Sequence, residues 1–413
     1  MNRNSITLLA PAGSFEALHA AFNAGADAVY FGVGKLNMRS GSSKNFSNND
    51  LEEIAGLAHQ KGKKAWLTLN TVMYDEDLEL AEKTIRMAAS SGVDAIIASD
   101  FAIINLCQKY QMPVHISTQS NISNIESVKF FSAYADTMVL ARELSLAQVN
   151  DITRQIKSQQ ITGPSGKPVK IEVFVHGALC MAVSGKCYLS LHQQDKSANR
   201  GQCRQECRKA YEVTERETGR KLLVDNEYIM SPKDLNTLGF LDQIVDAGVS
   251  VLKIEGRARS PEYIQTVTAA YNEALLAIEA GNFNEEKVNR LNKKLESVYH
   301  RGFWEGYYLG KKEGEWSEKY GSQATHRKTY IGKVTNYFSD LGVVEIKIES
   351  HQLLTGEEIM IMGPTTGLID HEIAGMRLDD KEIFKAEKGD VVSLKVTNRL
   401  RRSDKIYKMV PVG

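Results

Sequence analysis

ITLLAPAGSFEALHAAFNAGADAVYFG, residues 6–32, decides the fold. Ile6–Ala10 is a short apolar run that reads as a buried strand. Ser14 stands where an N-cap belongs, ahead of a helical pattern running to Ala24. The turn Ala24-Gly25-Ala26-Asp27 supplies a C-terminal glycine and returns the chain to a second strand, Ala28–Gly32. A helix between two strands is too long for a hairpin and calls for a parallel crossover.

Moving outward, the same unit recurs. After a Ser/Asn/Gly-rich loop, Asn37–Asn49, come helix 51–61, strand 64–70, helix 76–90, strand 95–98 and helix 101–110. Strand 114–118, helix 125–133, strand 137–141, helix 146–158 and strand 170–175 follow. A helix over 232–247, strand 249–254 and a helix over 261–280 close the series. Eight strands alternating with eight helices predict an α/β chain folded as a closed (β/α)8 TIM-like barrel. An open doubly wound sheet is the alternative. Residues 1–280 are assigned to the barrel and 281–327 to a linker with a charged helix and the aromatic stretch HRGFWEGYYLG. Residues 328–413 hold short, glycine-punctuated strands and are assigned to a small all-β barrel.

The composition is that of an ordinary globular chain: 42% apolar, 25% charged and formally neutral. No run is long enough to span a bilayer, so no membrane role is expected. The N-terminus has no signal-like apolar core, and a cytoplasmic location follows. Zero net charge means that any nucleic-acid surface is local. One candidate is KVTNRLRRSDKIYK, residues 395–408, read as the last hairpin of the β domain. Its six cations face only Asp404. They either guard a strand edge against aggregation or touch RNA.

Four of the five cysteines fall in EVFVHGALCMAVSGKCYLSLHQQDKSANRGQCRQECR, residues 172–208, which interrupts the barrel after the seventh strand and places a cysteine segment at 177–210. Cys180, Cys187, Cys203 and Cys207 are separated by six, fifteen and three residues. In a reducing compartment such a cluster reads as metal or redox chemistry rather than disulfides. Only the last pair resembles a zinc knuckle, which favours an iron–sulfur centre over zinc and leaves a structural zinc site as the alternative. Cys107 lies in an apolar helical pattern and reads as a small buried hydrophobe. A hairpin-like stretch, 211–223, follows the cysteines.

In a barrel the active site lies at the C-terminal strand ends. That places Arg39, Asn70, Gln119, Arg142, His176, Lys233, Lys253, Glu255 and Arg257 at one mouth. His176 could be a general acid/base, a group behind a metal ligand, or a satisfied core residue. Lys253, Glu255 and Arg257 alternate, which puts them on one strand face, either salt-bridged or jointly binding an anion. Zincin, nucleophile-elbow, Walker A and dinucleotide-binding motifs are all missing. The spacing for radical adenosylmethionine chemistry is missing too.

The pattern Glu172-x-Phe174-x-x-Gly177-Ala178-Leu179-Cys180-x4-Gly185-x-Cys187-x-Leu189-Ser190 resembles the signature of the collagenase-like peptidase family U32 at every fixed position. Asn199-Arg200-Gly201-x-Cys203-x3-Cys207-Arg208, Ser231–Leu235 and Lys253–Arg257 are similar to further stretches of that family. The family's name implies a protease. Its better-understood members imply oxygen-independent RNA or ubiquinone hydroxylation with a 4Fe-4S cluster on four cysteines. By length and domain content the chain is most similar to the branch that makes 5-hydroxyuridine at the tRNA wobble position with prephenate as co-substrate. The resemblance then implies Cys180, Cys187, Cys203 and Cys207 as cluster ligands and the tRNA anticodon loop as partner. It implies a cationic prephenate pocket from Arg39, Arg142, Lys233, Lys253 and Arg257, with Asn70 and Gln119 beside it and His176, Lys253 and Glu255 as catalytic candidates. A peptidase, or a cluster scaffold for an RNA-modifying partner, are the other readings. The electron donor and any protein partner or homo-oligomer stay open.

Overall fold

The structure is a computed structural model that describes residues 2–41, 45–221, 230–310 and 313–412. Part of the Asn37–Asn49 loop and residues 222–223 of the expected hairpin lie outside the described residues. Eight parallel strands close a barrel: β1 (Thr7–Pro11), β2 (Ala28–Phe31), β3 (Lys64–Leu69), β4 (Ala95–Ala98), β5 (Val114–Ile116), β6 (Thr137–Val139), β7 (Lys170–Ala178) and β9 (Val251–Ile254). The ring closes because β9 pairs in parallel with both β7 and β1. The helices between them are α1 (Phe15–Asn23), α2 (Leu51–Gln60), α3 (Leu78–Ser90), α4 (Phe101–Lys109), α5 (Ile125–Ser132) and α6 (Leu146–Ser158). The caps follow from local chemistry: the Ser14, Asp100, Asn124 and Ser145 side chains each accept a backbone N–H of the helix they start. Cys107 on α4 is fully buried in the barrel–helix core.

The helix expected over 232–247 is only α8 (Leu241–Asp246). Asp234–Asn236 instead forms β8, antiparallel to the end of β7. Two physical reasons operate. Pro232 is bridged to Trp316 in extended form, and burial of Leu235 with the Asp234–Arg301 ion pair (3.3 Å) holds the segment flat against β7. Helix α7 (Leu189–Gln194) lies in the cysteine segment, α9 (Pro261–Glu279) is the last barrel helix and packs beside α1, and α10 (Glu285–Glu296) follows the barrel. Thr214 and Lys221 are bridged in an antiparallel turn.

The aromatics of the segment after α10 lie on the barrel. Strand β10 (Phe303–Trp304) pairs with β8. Buried Tyr308 donates to the Phe174 carbonyl at 2.7 Å.

From His326 onward the chain is antiparallel. Its strands are β11 (His326–Phe338), β12 (Val343–Ile348), β13 (Leu353–Leu354), β14 (Glu358–Gly363), β15 (Gly367–Glu372), β16 (Met376–Leu378), β17 (Lys381–Ile383), β18 (Lys385–Ala386), β19 (Val391–Lys395) and β20 (Lys405–Pro411). Eight of them form one sheet in the order β15-β14-β20-β11-β12-β19-β16-β17. It wraps a core of its own around Ile331, Val344, Ile346, Ile361 and Ile406. Residues 395–408 are not a hairpin: β19 pairs with β12 and β16, whereas β20 pairs with β11 and β14. The sheet docks on α1 and α9. Ala20 packs with Met360 and Leu368, and Lys328 pairs with Glu262 at 2.9 Å. No described helix is long and apolar enough to cross a membrane.

Two separate cores predict separable unfolding. Ile346→Ala, fully buried in the C-terminal sheet, is expected to cost about 2–5 kcal/mol. Urea unfolding should show the loss in the C-terminal transition, with the barrel transition in place.

Candidate active site at the barrel mouth

The interior of the barrel is charged, and the charges are arranged in layers. Deepest, Lys253 Nζ on β9 lies 2.7 Å from Glu172 Oε1 on β7, both buried. The Lys253 ammonium also sits over the Tyr30 ring, 4.6 Å from its centroid. One layer up, Glu255 accepts from Arg39 Nη2 at 2.6 Å and Nε at 3.1 Å. The Tyr30 hydroxyl donates to the Ile254 carbonyl at 2.9 Å and reaches Glu255 Oε2 at 3.2 Å. Burial works against the Glu255 charge, but Arg39, then Arg142 and Arg257, outweigh it and hold the carboxyl down at about 2. Arg257 donates to Thr68 Oγ1 at 2.8 Å, and burial lowers its guanidinium to about 10.

Tyr30, Thr68, Lys253, Glu255 and Arg257 line a cavity of about 200 Å³ at the C-terminal strand ends, together with Arg39, Asn70, Gln119, Arg142 and all four clustered cysteines. Asn70 bridges two loops, accepting from the Met38 N–H and donating to Ser117 Oγ, each at 3.3 Å. Arg142 lies flat on the Phe174 ring at 3.9 Å and donates to the Ala178 carbonyl at 3.1 Å. Among the buried polar atoms with no hydrogen-bond partner are Glu172 Oε2, Arg142 Nε and Thr118 Oγ1.

Two expected residues are elsewhere. Period two along β7 puts Glu172, Phe174 and His176 on one face. A β-bulge between Phe174 and His176 breaks that register against β9. His176 is therefore turned out of the barrel and packs among Tyr263, Tyr271 and Phe303. Burial lowers its pKa to about 3, so it is neutral. The Val175 carbonyl at the bulge accepts from Tyr271 Oη at 2.7 Å and from Thr237. Lys233 is also outside the cavity. It follows Pro232 into the added strand β8 and pairs with Glu315 at 3.0 Å.

The sequence reading gave no role to Tyr30, Thr68, Glu172, Arg208, Arg259 or Arg301, all of them at the cavity or in its charge network. Glu172 and Arg208 stand inside the signature pattern, which was the available signal. Arg301 comes from the segment after α10 and carried none.

The cysteine segment is clamped over the mouth. Gly201, at φ +79°, sits where a Cβ would fall 2.1 Å from the Asn37 carbonyl oxygen. Its own carbonyl accepts from the Gly41 N–H at 3.0 Å. Gly185, at φ +77°, leaves room for Gln119, whose Oε1 a Cβ would meet at 1.7 Å. Arg200 pairs with fully buried Asp77 and stacks on Tyr74 at 4.1 Å. Arg208 donates to the Leu179 carbonyl at 2.6 Å and to Ser231 Oγ at 3.1 Å.

The four clustered cysteines thus all line the cavity. Among the described residues no group of three or more His, Cys, Asp and Glu side chains is placed to hold one metal ion. Zinc needs four sulfurs about 2.3 Å from a single point. A polynuclear cluster takes each thiolate on a separate iron, and four cysteines lining one cavity supply the type and number of donors that either centre uses.

Arg142, Arg208, Arg257 and Arg259 all face the cavity, and among the described residues none of them has a carboxylate ion-pair partner. Arg259 stacks on Tyr299 at 3.5 Å. Glu255 is the nearby counter-charge of Arg142 and Arg257 and is already paired with Arg39, so the lining keeps an excess of positive charge that favours an anion.

The chain is similar to known proteins over nearly all of its length. The profile of peptidase family U32 matches residues 13–318. A protein of Porphyromonas gingivalis named collagenase is 51% identical over 408 residues, covering 99% of each chain. Bacillus subtilis tRNA hydroxylation protein P1 is 30% identical over 97% of this chain and 94% of its own length. The Escherichia coli 23S rRNA 5-hydroxycytidine C2501 synthase is 36% identical over 76% of this chain, which spans 47% of that protein.

The buried pair predicts a strong non-additivity. Lys253→Met alone leaves Glu172 buried and uncompensated and is expected to cost about 3–5 kcal/mol. Adding Glu172→Gln should recover most of that in a double-mutant cycle read by urea unfolding. Glu255 predicts a pH effect. Its folded pKa lies below the ordinary 4.5, so its contribution is complete above that value and disappears as pH falls through about 2. Glu255→Gln should remove that acid sensitivity and cost about 3 kcal/mol at neutral pH.

Proposed function

The chain belongs to peptidase family U32, and from that premise we propose that it is a tRNA-modifying enzyme. It takes part in oxygen-independent hydroxylation of the wobble uridine to 5-hydroxyuridine, with prephenate as co-substrate, in the cytoplasm. The observation that carries this reading is one cavity with four clustered thiols on its wall and several guanidiniums without carboxylate partners facing it. The relatives named for tRNA and rRNA hydroxylation support an RNA substrate.

Cys180, Cys187, Cys203 and Cys207 would hold a 4Fe-4S cluster, which supplies one-electron transfer when bound. The chain's own residues do the binding. Arg142 and Arg257 are placed to take the carboxylates of a dianion such as prephenate, as planar bidentate donors. The Arg39–Glu255 and Lys253–Glu172 pairs supply a fixed polar floor. Glu255, held ionised by its arginines, accepts hydrogen bonds rather than donating a proton. Uridine has to leave its stack to reach the mouth, and an unpaired anticodon loop lowers that cost.

The 51% identity to a protein named collagenase favours a second reading, a peptidase. The site gives it little support. Among the described residues no histidine lines the cavity to activate a thiol or hydroxyl nucleophile.

The test is anaerobic purification of wild type and Cys203→Ala with iron, sulfide and zinc analysis, followed by nucleoside analysis of tRNA from a strain complemented with each. The expected result is iron and sulfide in the wild type, both depleted in the variant, with 5-hydroxyuridine made only by the wild type. One zinc with no sulfide would sink the redox mechanism. Activity only in the presence of a co-purifying protein would favour a scaffold. Gelatin cleavage that survives Cys203→Ala would favour the peptidase. Arg257→Leu is expected to abolish prephenate binding, read by titration calorimetry, and to let the Glu255 carboxyl rise from its low value because one of its cations is lost.

A further inference from the structure

The loop between β19 and β20 is the strongest charged feature outside the barrel. Lys395, Arg399, Arg401, Arg402 and Lys405 are all exposed, and among the described residues none of them has a carboxylate ion-pair partner. The whole chain is formally neutral, so this concentration is local. Protection of a sheet edge does not account for it. The edge strands are β15 and β17, whereas β19 and β20 are interior and each paired on both sides.

The loop is also built to keep its shape. Asp404, the one acid in it, is 3% exposed and turned inward. Its carboxylate accepts from the Arg401 N–H at 2.8 Å and from Thr366 Oγ1 at 2.5 Å. Gly363 is kept small by it, since a Cβ there would lie 1.9 Å from Asp404 Oδ1. Ser403 is held at φ +75°, a left-handed conformation that a serine adopts only under constraint, by a hydrogen bond from its N–H to the Val334 carbonyl at 2.9 Å. Lys405 stands directly across the ladder from Lys333, a like-charge pairing that costs stability in isolation. Asp404 thus spends its charge on holding the loop and leaves the outward cations uncompensated.

We propose that this loop is a second contact surface for the RNA substrate, gripping the phosphodiester backbone of tRNA away from the barrel mouth. The inference rests on the reading of the chain as a tRNA-modifying enzyme. Three features point to RNA phosphate. The exposed tip carries three arginines, whose planar forks match phosphate oxygens. The loop is held in one shape by Asp404 and by the Ser403–Val334 hydrogen bond, which suits a fixed nucleic-acid backbone. Its one large apolar side chain, Leu400, is buried, so nothing is available to insert into a lipid surface.

The test uses the full chain, purified anaerobically, with an unmodified tRNA transcript, and reads fluorescence anisotropy at salt from about 50 to 200 mM. The variant is Arg399→Glu/Arg401→Glu/Arg402→Glu, with the three Arg→Gln changes as a second variant if circular dichroism shows the first misfolded. The expected result is at least about tenfold weaker binding, with the salt-dependence slope smaller by about 2–3, one unit for each lost phosphate contact. Metal content and prephenate binding should match the wild type. Unchanged affinity and slope would overturn the proposal, as would a variant that loses only binding to phosphatidylserine vesicles. Wild type that binds no tRNA would overturn both this inference and the functional reading. Loop-dependent tRNA binding without any hydroxylated nucleoside would overturn the functional reading and leave the loop's role standing.

Discussion

The bulge after Phe174 is what the rest of the structure depends on. It lets β7 close the barrel against β9 through Glu172, Val173 and Phe174, and then continue as far as Ala178 in a different register. The extra residue leaves the Val175 carbonyl out of the ladder, and Thr237 and Tyr271 satisfy it from the outside. The same extension gives β8 an edge to pair with, and β8 in turn gives β10 one. The cysteine segment leaves from the end of this extended strand, which is how four thiols reach the mouth of a barrel.

Charge compensation then sorts the interior. Lys253 and Glu172 neutralise each other at depth, and Arg39 and Glu255 do so above them. Arg257 donates to a threonine hydroxyl and, with Arg142, shares the Glu255 charge that Arg39 already pairs. Among the residues lining the cavity cations outnumber carboxylates, and burial sharpens that imbalance.

The C-terminal sheet shows a comparable division. Its core and its docking on α1 and α9 use apolar and paired groups, such as Ala20 with Leu368 and Lys328 with Glu262. Its densest run of exposed cations, Arg399, Arg401 and Arg402, is gathered in one constrained loop.

Much of this was legible in the sequence because it is local. Strand–helix alternation, the Ser14 and Ser145 caps and the glycine-rich turns are set by residues a few positions apart, and they determined the barrel and its strand ends. The cysteine spacing, together with the strand that precedes it, marked the site before any coordinates. What the sequence could not reveal depends on register and on distant partners. Its place at the end of the seventh strand put His176 at the mouth, and a bulge stabilised by Thr237 and Tyr271, far along the chain, turned it out into the packed core that was its other reading. Pro232 read as a helix start, but pairing with β7 and the contact of Asp234 with Arg301 made the following residues a strand and carried Lys233 away from the mouth. The loop at 396–404 read as a hairpin because its flanks adjoin in sequence, yet β12 and β11 lie between β19 and β20 in the sheet. Local propensity and spacing determined which elements exist and where the chemistry gathers. Only tertiary pairing decided which side chains face the cavity, because a shift of one residue along a strand moves a side chain to the opposite face.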